Sequence, residues 1–362
     1  MLRIAVNGYG RIGRGVVRAL FENGYTDRIQ LVAINELADL ETVCYLTRYD
    51  STHGRFPAQV SCRSDDGKDW LSIAGQDIRV FNQPDVAELN WSELNVDLVL
   101  ECTGAFSDRA TAEQHIENGA KQVLFSQPAS SDVDATIVYG VNHQTLTGEE
   151  VIVSNASCTT NCVIPVLSVL DNAYGIKRGT ITTIHSAMND QPVIDAYHSD
   201  LRRTRSAGQS IIPVDTGLAA GIERVLPKFK DAFVALHMRV PTQNVSLMDL
   251  TLELNHKVTA DEVNQLLKKA SENGLSGVLG YTEEPHASID FNHDVRSGIV
   301  DGTQTHVVGA AVDAVTGGTE SSENQTTLDT QKDCSMVKLV VWFDNEWAFA
   351  NRMLDTALVM AP

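Results

Sequence analysis

In the run Ser154-Asn155-Ala156-Ser157-Cys158-Thr159-Thr160-Asn161-Cys162 a thiol stands among small and hydroxylated residues. The apolar stretch Glu150-Val151-Ile152-Val153 leads into it like a buried strand, and Val163 to Leu170 leaves it with apolar residues at helical spacing. Cys158 therefore falls at the mouth of a helix, where unpaired N–H groups and the positive dipole end favour a thiolate. A free thiol, with a pKa of about 8.5, is only slightly ionised at neutral pH. The Cys158-x-x-x-Cys162 spacing alone fits one turn of a buried helix face equally well, since free cysteine is usually buried and inert. Strand, hydroxyl-rich turn and helix mouth together point to a nucleophile at Cys158.

A nucleophile needs a proton acceptor and something to hold its substrate. Thr180-Ile181-Thr182-Thr183-Ile184-His185 is a β-branched strand that ends in a histidine, soon after the thiol helix. In isolation His185 is an ordinary core histidine. Its place makes it the candidate base, because catalytic cysteines and histidines meet in the fold rather than in sequence. Cations gather in Asp200-Leu201-Arg202-Arg203-Thr204-Arg205, and Arg239 follows on a later strand. Arginines are most often a solvated face. In a chain of formal net charge −19, three within four residues mark an anion pocket, since an anionic ligand otherwise approaches against the mean field.

The third element of chemistry is a cofactor site. Arg3 to Asn7 reads as a strand, Gly8-Tyr9-Gly10-Arg11-Ile12-Gly13 as a turn and Arg14 to Phe21 as a helix stopped by Asn23-Gly24. A second strand, Gln30 to Asn35, ends at Glu36. Such a G-x-G-x-x-G turn lets the backbone approach a pyrophosphate at a helix N-terminus, while the acid binds adenosine ribose hydroxyls. Glu36 favours NAD over NADP, because it would repel a ribose 2′-phosphate.

Strands and helices alternate through Val96–Cys102, Ala110–Asn118 and Gln122–Phe125, which implies an α/β, Rossmann-type doubly wound sheet over residues 1–157. Its strand ends at Glu36, Thr103 and Ser126 lie where such sheets bind ligands. Beyond Cys158 the strands lengthen, at about Phe233–Pro241 and Asn244–Leu254, with a capped helix over Asp261–Asn273. Residues 158–344 are therefore expected to form an α+β catalytic domain with a mixed or antiparallel sheet. A final helix, Asn345 to Met360, docks back on the first domain as residues 345–362. The polar segment at about 313–335 reads as an exposed loop. At 362 residues the chain has room for two cores. Its six scattered cysteines make neither a disulfide framework nor a zinc site, and no metal is expected. The acidic balance argues against nucleic acid or membrane-surface partners, and no apolar run is long enough to span a bilayer. The expected location is the cytoplasm.

Gly8 to Arg14, Ser154 to Cys162, Thr183 to Ser186, Asp200 to Arg205 and Trp342-Phe343-Asp344-Asn345-Glu346-Trp347 resemble the phosphorylated-aldehyde dehydrogenases of the glyceraldehyde-3-phosphate dehydrogenase superfamily. The resemblance covers essentially the whole chain outside the polar segment. Ala33 to Asp39, Ile184 to Gln191, Val193 to His198, Ile289 to Asp294 and Val300 to Thr305 look like the branch that oxidises D-erythrose 4-phosphate. The resemblance implies Cys158 as nucleophile and His185 as its activating base. It implies Ser157, Thr159, Arg205, Thr216, Gly217 and Arg239 as substrate and phosphate contacts. Arg11, Ile12, Glu36, Thr103, Ser126 and Asn345, beside the glycines Gly8, Gly10 and Gly13, are implied as NAD contacts. It further implies a homotetramer, with Ser186–Ser210 lining a neighbour's NAD site, and a place in pyridoxal phosphate biosynthesis. Met188 replaces a phosphate-binding threonine of the glyceraldehyde-phosphate enzymes, and Pro84 stands where the family often places an arginine near the adenine. The competing readings are a phosphorylating glyceraldehyde-3-phosphate dehydrogenase and a non-catalytic NAD-binding redox sensor.

Overall fold

The computed structural model describes residues 1–308 and 334–361. The polar segment expected at 313–335 thus lies outside the described residues, apart from its last two, which already belong to the strand Cys334–Phe343.

The N-terminal half builds one nine-stranded sheet. Its order is Ala135–Thr136, Ile152–Ser154, Gln122–Phe125, Leu98–Glu101, Leu2–Asn7, Ile29–Asn35, Gln76–Phe81, Lys68–Ile73 and Val60–Asp65. All neighbours are parallel up to Gln76–Phe81; the last three strands form an antiparallel meander at the edge. Leu2–Asn7 has Ile29–Asn35 on one side and Leu98–Glu101 on the other, so strand order reverses there. Loops leaving opposite ways from such a switch point open a crevice at the carboxyl ends of the strands. The central strands are apolar almost without alternation, as a sheet covered on both faces requires: Ile4, Ala5 and Val6 are all fully buried. Helices α1 (Arg11–Glu22), α2 (Leu40–Arg48) and α3 (Arg109–Glu117) connect the strands.

Helix α4 (Cys158–Tyr174) starts the second half. Ser154 closes the preceding strand, Ala156 turns the chain with φ at +56°, and the Ser157 hydroxyl caps the helix by accepting from the Thr160 N–H at 3.1 Å. A left-handed alanine costs on the order of 1 kcal/mol, and it lies buried where the chain must turn sharply to aim the next residues at the crevice.

The second sheet is mixed, as expected. Its order is Ile212–Val214, Phe233–Val240, Ile176–Ser186, Ser246–Val258, Cys334–Phe343, Gly298–Asp301 and Leu279–Thr282, with His306–Val307 also on Cys334–Phe343. The Ile176–Ser186 and Phe233–Val240 strands run parallel, pairing Thr183 with His237 and His185 with Arg239. Their inward residues meet α4, α5 (Leu218–Val225) and α6 (Ala260–Glu272) in one core that includes Ile181, Leu250, Ile222 and Val263. Helix α7 (Trp347–Met360) returns to the first half and packs on α1; Trp347, Ala350, Met353 and Leu354 join the core of the first sheet. The crossing is close at Gly15, where a Cβ would lie 3.3 Å from Ala350 Cβ, tight enough that the helices would have to ease apart by a few tenths of an ångström.

Candidate active site

Cys158 is the first residue of α4, and its Sγ lies 3.8 Å from His185 Nε2. His185 is buried at the end of its strand, with Nδ1 2.8 Å from the Ser186 carbonyl. A carbonyl only accepts, so Nδ1 carries the proton and Nε2 presents its lone pair to the thiol. Burial pushes the Cys158 thiol up to about 11, against the Thr159 N–H, Arg239 and its own N–H, which pull it down. Burial, with Arg239 adding to it, lowers His185 to about 4. Burial thus opposes the charged form of both partners. The helix mouth favours a thiolate, as expected from the sequence, and desolvation of the buried sulfur acts against it as the larger influence.

Around this pair the structure gathers Ser157, Thr159 and Arg239. The Ser157 and Thr159 hydroxyls are 2.8 Å apart, and Arg239 is buried beside His185 on the neighbouring strand. Thr216 and Gly217 precede α5, which packs on the first turn of α4: a Cβ at Gly221 would lie 3.0 Å from Thr160 Oγ1. The Thr216 hydroxyl accepts from the Leu218 N–H at 3.2 Å, which leaves its own proton free to be donated to a ligand.

Arg205 differs from the expected phosphate contact: its side chain is 67% exposed and pairs with Asp195 at 2.9 Å. Arg203 comes in instead: it holds Asp190 at 2.9 Å, and Asp190 in turn stands 3.5 Å from Arg239. Arg203 lies within the Asp200-capped turn Leu201–Thr204, and Arg205 just beyond it. The sequence marked the cluster, but nothing local distinguished its members. Asp190 and His237 were also missed. His237 had a signal, since two residues before Arg239 on one strand it must share Arg239's face. We expect Arg203→Ala to raise KM for a phosphorylated substrate about tenfold or more, the worth of a charged hydrogen bond, and Arg205→Ala to leave it within about twofold. Steady-state kinetics of the two variants checks this, and the reverse ranking would refute the placement.

The crevice of the first sheet is a cavity of about 360 Å³ whose walls include Asn7, Gly8, Gly10, Glu36, Pro84 and Thr103. Gly8 has φ at +89°, and a Cβ there would sit 2.6 Å from the Thr103 backbone; at Gly13 it would sit 2.1 Å from the Gly8 carbonyl. Nothing lies within 4 Å of a Cβ at Gly10, so that position is open toward the cavity. Helix α1 has no side-chain cap and no acid in its first turn. The Arg11 guanidinium is held by Glu346, at 2.9 Å, and by Asp50. What Arg11 and Ile12 present is therefore backbone N–H at a positive helix end, a fit for a pyrophosphate. Glu36 accepts from the Tyr9 and Leu37 N–H groups, both at 2.8 Å, and from Ala38 at 3.2 Å, which aims the carboxylate while leaving lone-pair capacity for ribose hydroxyls. Thr103 is set by Glu101, which accepts its N–H at 2.9 Å. Buried Glu101 also takes Asn7 and, at 3.2 Å, the Nε2–H of His115; the Trp91 N–H donated to His115 Nδ1 fixes that tautomer.

Ser126 follows the strand Gln122–Phe125, which lies between the strands that precede Thr103 and Asn155. Asn345 lies two residues beyond the strand Cys334–Phe343. Its carbonyl accepts from Ser186 and Ser246 hydroxyls at 3.0 and 2.9 Å, so what it offers a ligand is its amide NH₂. Asp344, accepting from Asn244, His293, Glu346 and Trp347, keeps it there.

A thiol and imidazole in reach, arginines beside them and a crevice at the carboxyl ends of a doubly wound sheet fit an NAD-dependent aldehyde dehydrogenase. Residues 2–109 match the family described as glyceraldehyde 3-phosphate dehydrogenase, NAD binding domain, and residues 157–345 match its C-terminal domain. The chain belongs to the glyceraldehyde 3-phosphate dehydrogenase family, and NAD is its cofactor. No helix among the described residues is long and apolar enough to cross a membrane.

Replacing Glu36 by alanine is expected to weaken NAD and narrow its advantage over NADP, because the repulsion of a 2′-phosphate is gone. Cofactor titration measures both affinities. Equal use of the two by the wild type would refute the role given to Glu36.

Proposed function

We propose that the protein oxidises D-erythrose 4-phosphate to 4-phosphoerythronate, through a Cys158 thioester that water resolves. Bound NAD supplies the hydride acceptor. Cys158 Sγ attacks the aldehyde carbon, its proton passing through His185 Nε2 to the carbonyl oxygen, which gives a thiohemiacetal. His185 Nε2 then takes the hydroxyl proton as the thiohemiacetal is oxidised to the thioester. The Cys158 backbone N–H, at the first position of α4, stands where the developing oxyanion needs a donor. Once that hydroxyl proton has passed to solvent, the neutral His185 serves as base for the attacking water and hands the proton to the departing sulfur, so that Cys158 leaves as the thiol.

The observation that carries this reading is Met188, three residues after His185. It is 45% exposed at the start of the segment that brings in Asp190 and Arg203. A thioether cannot donate to phosphate, so a hydroxyl that would help hold a second anion is missing. The one-carbon-longer substrate also places its own phosphate farther from the thiol, in space an inorganic phosphate would need. Both effects favour water as acceptor. NADH formation should be measured with erythrose 4-phosphate and glyceraldehyde 3-phosphate, each with and without phosphate. The reading expects turnover of the four-carbon substrate without added phosphate, and phosphate-dependent gain on the three-carbon one in Met188→Thr. Strict phosphate dependence with erythrose 4-phosphate would favour the phosphorylating enzyme instead. The implied place in pyridoxal phosphate biosynthesis rests on this substrate.

A homotetramer is part of the same proposal. Ile184, Val234 and Leu236 lie exposed on the outer face of the second sheet, and Val193, Ile194, Tyr197 and Leu201 stand out from the Ser186–Ser210 segment. Apolar surface on this scale calls for a partner, and a second copy would bury it. Light scattering is expected to give four times the chain mass; a monomer at micromolar concentration would refute it.

A further inference from the structure

His237 has no part in the chemistry above, yet it touches the catalytic base. Its ring stacks on His185 with centroids 5.0 Å apart and planes at 25°. It is 9% exposed, and among the described residues its Nε2 has no hydrogen-bond partner. On the same strand face, Arg239 Nε and Nη1 are likewise buried without a hydrogen bond, and so is the hydroxyl of Thr183, the register partner of His237. Arg239 keeps only an ion-pair contact to Asp190 at 3.5 Å. An unpaired buried polar group costs about 1–3 kcal/mol. If His237 served only to wedge His185 in place, a phenyl ring would stack as well without that cost. Orphan atoms clustered on one wall of a site point instead to a partner that arrives with a ligand.

We infer that His237 is a specificity-determining residue of this site, whose Nε2–H donates to a tetrahedral oxyanion held by Arg239; the inference rests on the phosphorylated-aldehyde reading. The anion is either the phosphate of the substrate or free inorganic phosphate. Burial, then His185, then Arg239 and Arg203 push His237 down to about 3, so the ring is neutral until an anion enters. A dianion between these groups reverses that balance, favouring a protonated Nε2 facing it. Two guanidinium groups draw the anion in, and the imidazole fills a direction their planar forks do not reach.

The test compares wild type with His237→Phe, which keeps the stack, and His237→Asn, which keeps a donor. Three readouts are needed: kcat and KM for erythrose 4-phosphate, the same for unphosphorylated erythrose, and protection of Cys158 from iodoacetamide by inorganic phosphate. Thermal melting and NAD affinity check that each variant folds. The Phe variant is expected to raise KM for the phosphorylated aldehyde about tenfold with kcat within about threefold, to leave the unphosphorylated aldehyde unchanged, and to be partly rescued by Asn. If the Phe variant instead loses only phosphate protection, the oxyanion is free phosphate and the contact still stands. Equal losses on both aldehydes, or no change in any readout, would overturn it. Should the wild type show no preference for phosphorylated over unphosphorylated aldehyde, the substrate reading fails, and the protection assay alone then decides His237.

Discussion

Cys158→Ser is expected to lower dehydrogenase turnover by roughly a thousand-fold or more, the scale on which removal of an enzyme nucleophile acts. A serine hydroxyl at the same helix mouth would meet the same His185 lone pair, but a hydroxyl proton is far harder to remove than a thiol proton. NAD affinity should stay within a few-fold, because the crevice at Gly8, Glu36 and Thr103 does not involve the thiol. Cys162→Ser is the control. Cys162 is fully buried in the core of the second sheet, so it costs stability without removing chemistry. Comparable loss of turnover in both variants, with both folded, would sink the assignment.

His185→Asn should reduce turnover by about a hundred-fold or more, the range for loss of a general base. The ionisation state of the pair gives this prediction a second readout. With the thiol raised to about 11 and the imidazole lowered to about 4, neither is charged between those values. The thiolate fraction then rises with pH, and iodoacetamide should alkylate wild-type Cys158 about tenfold faster per pH unit through pH 9, with no plateau near neutrality. In His185→Asn the same slope should persist at a lower rate, since the proton acceptor 3.8 Å from Sγ is gone. A wild-type plateau below pH 7 would show a preformed thiolate–imidazolium pair and refute the neutral resting state.

Much of the site could be read from the chain because its signals are local. The strand–turn–helix around Cys158 shows in a few consecutive residues, since a cap at Ser157 and apolar spacing from Val163 are properties of neighbours. The glycine turn before α1 is legible for the same reason. Gly8 and Gly13 are demanded by close backbone approach, a constraint that composition records directly.

What the sequence determined by itself was therefore the α/β class, the dinucleotide crevice, Cys158 and His185 as a pair, and an arginine cluster near them. The tertiary structure decided three further things. It chose Arg203 over Arg205, because Arg203 meets Asp190, which also contacts the buried Arg239, whereas Arg205 pairs with the exposed Asp195. It set His237 against His185, because that contact depends on a parallel pairing between strands some fifty residues apart, which neither strand encodes alone. It also set burial against the thiolate. A helix mouth is visible in sequence, but the desolvation that outweighs it comes from every element packed around the sulfur, and only the assembled core sets its size.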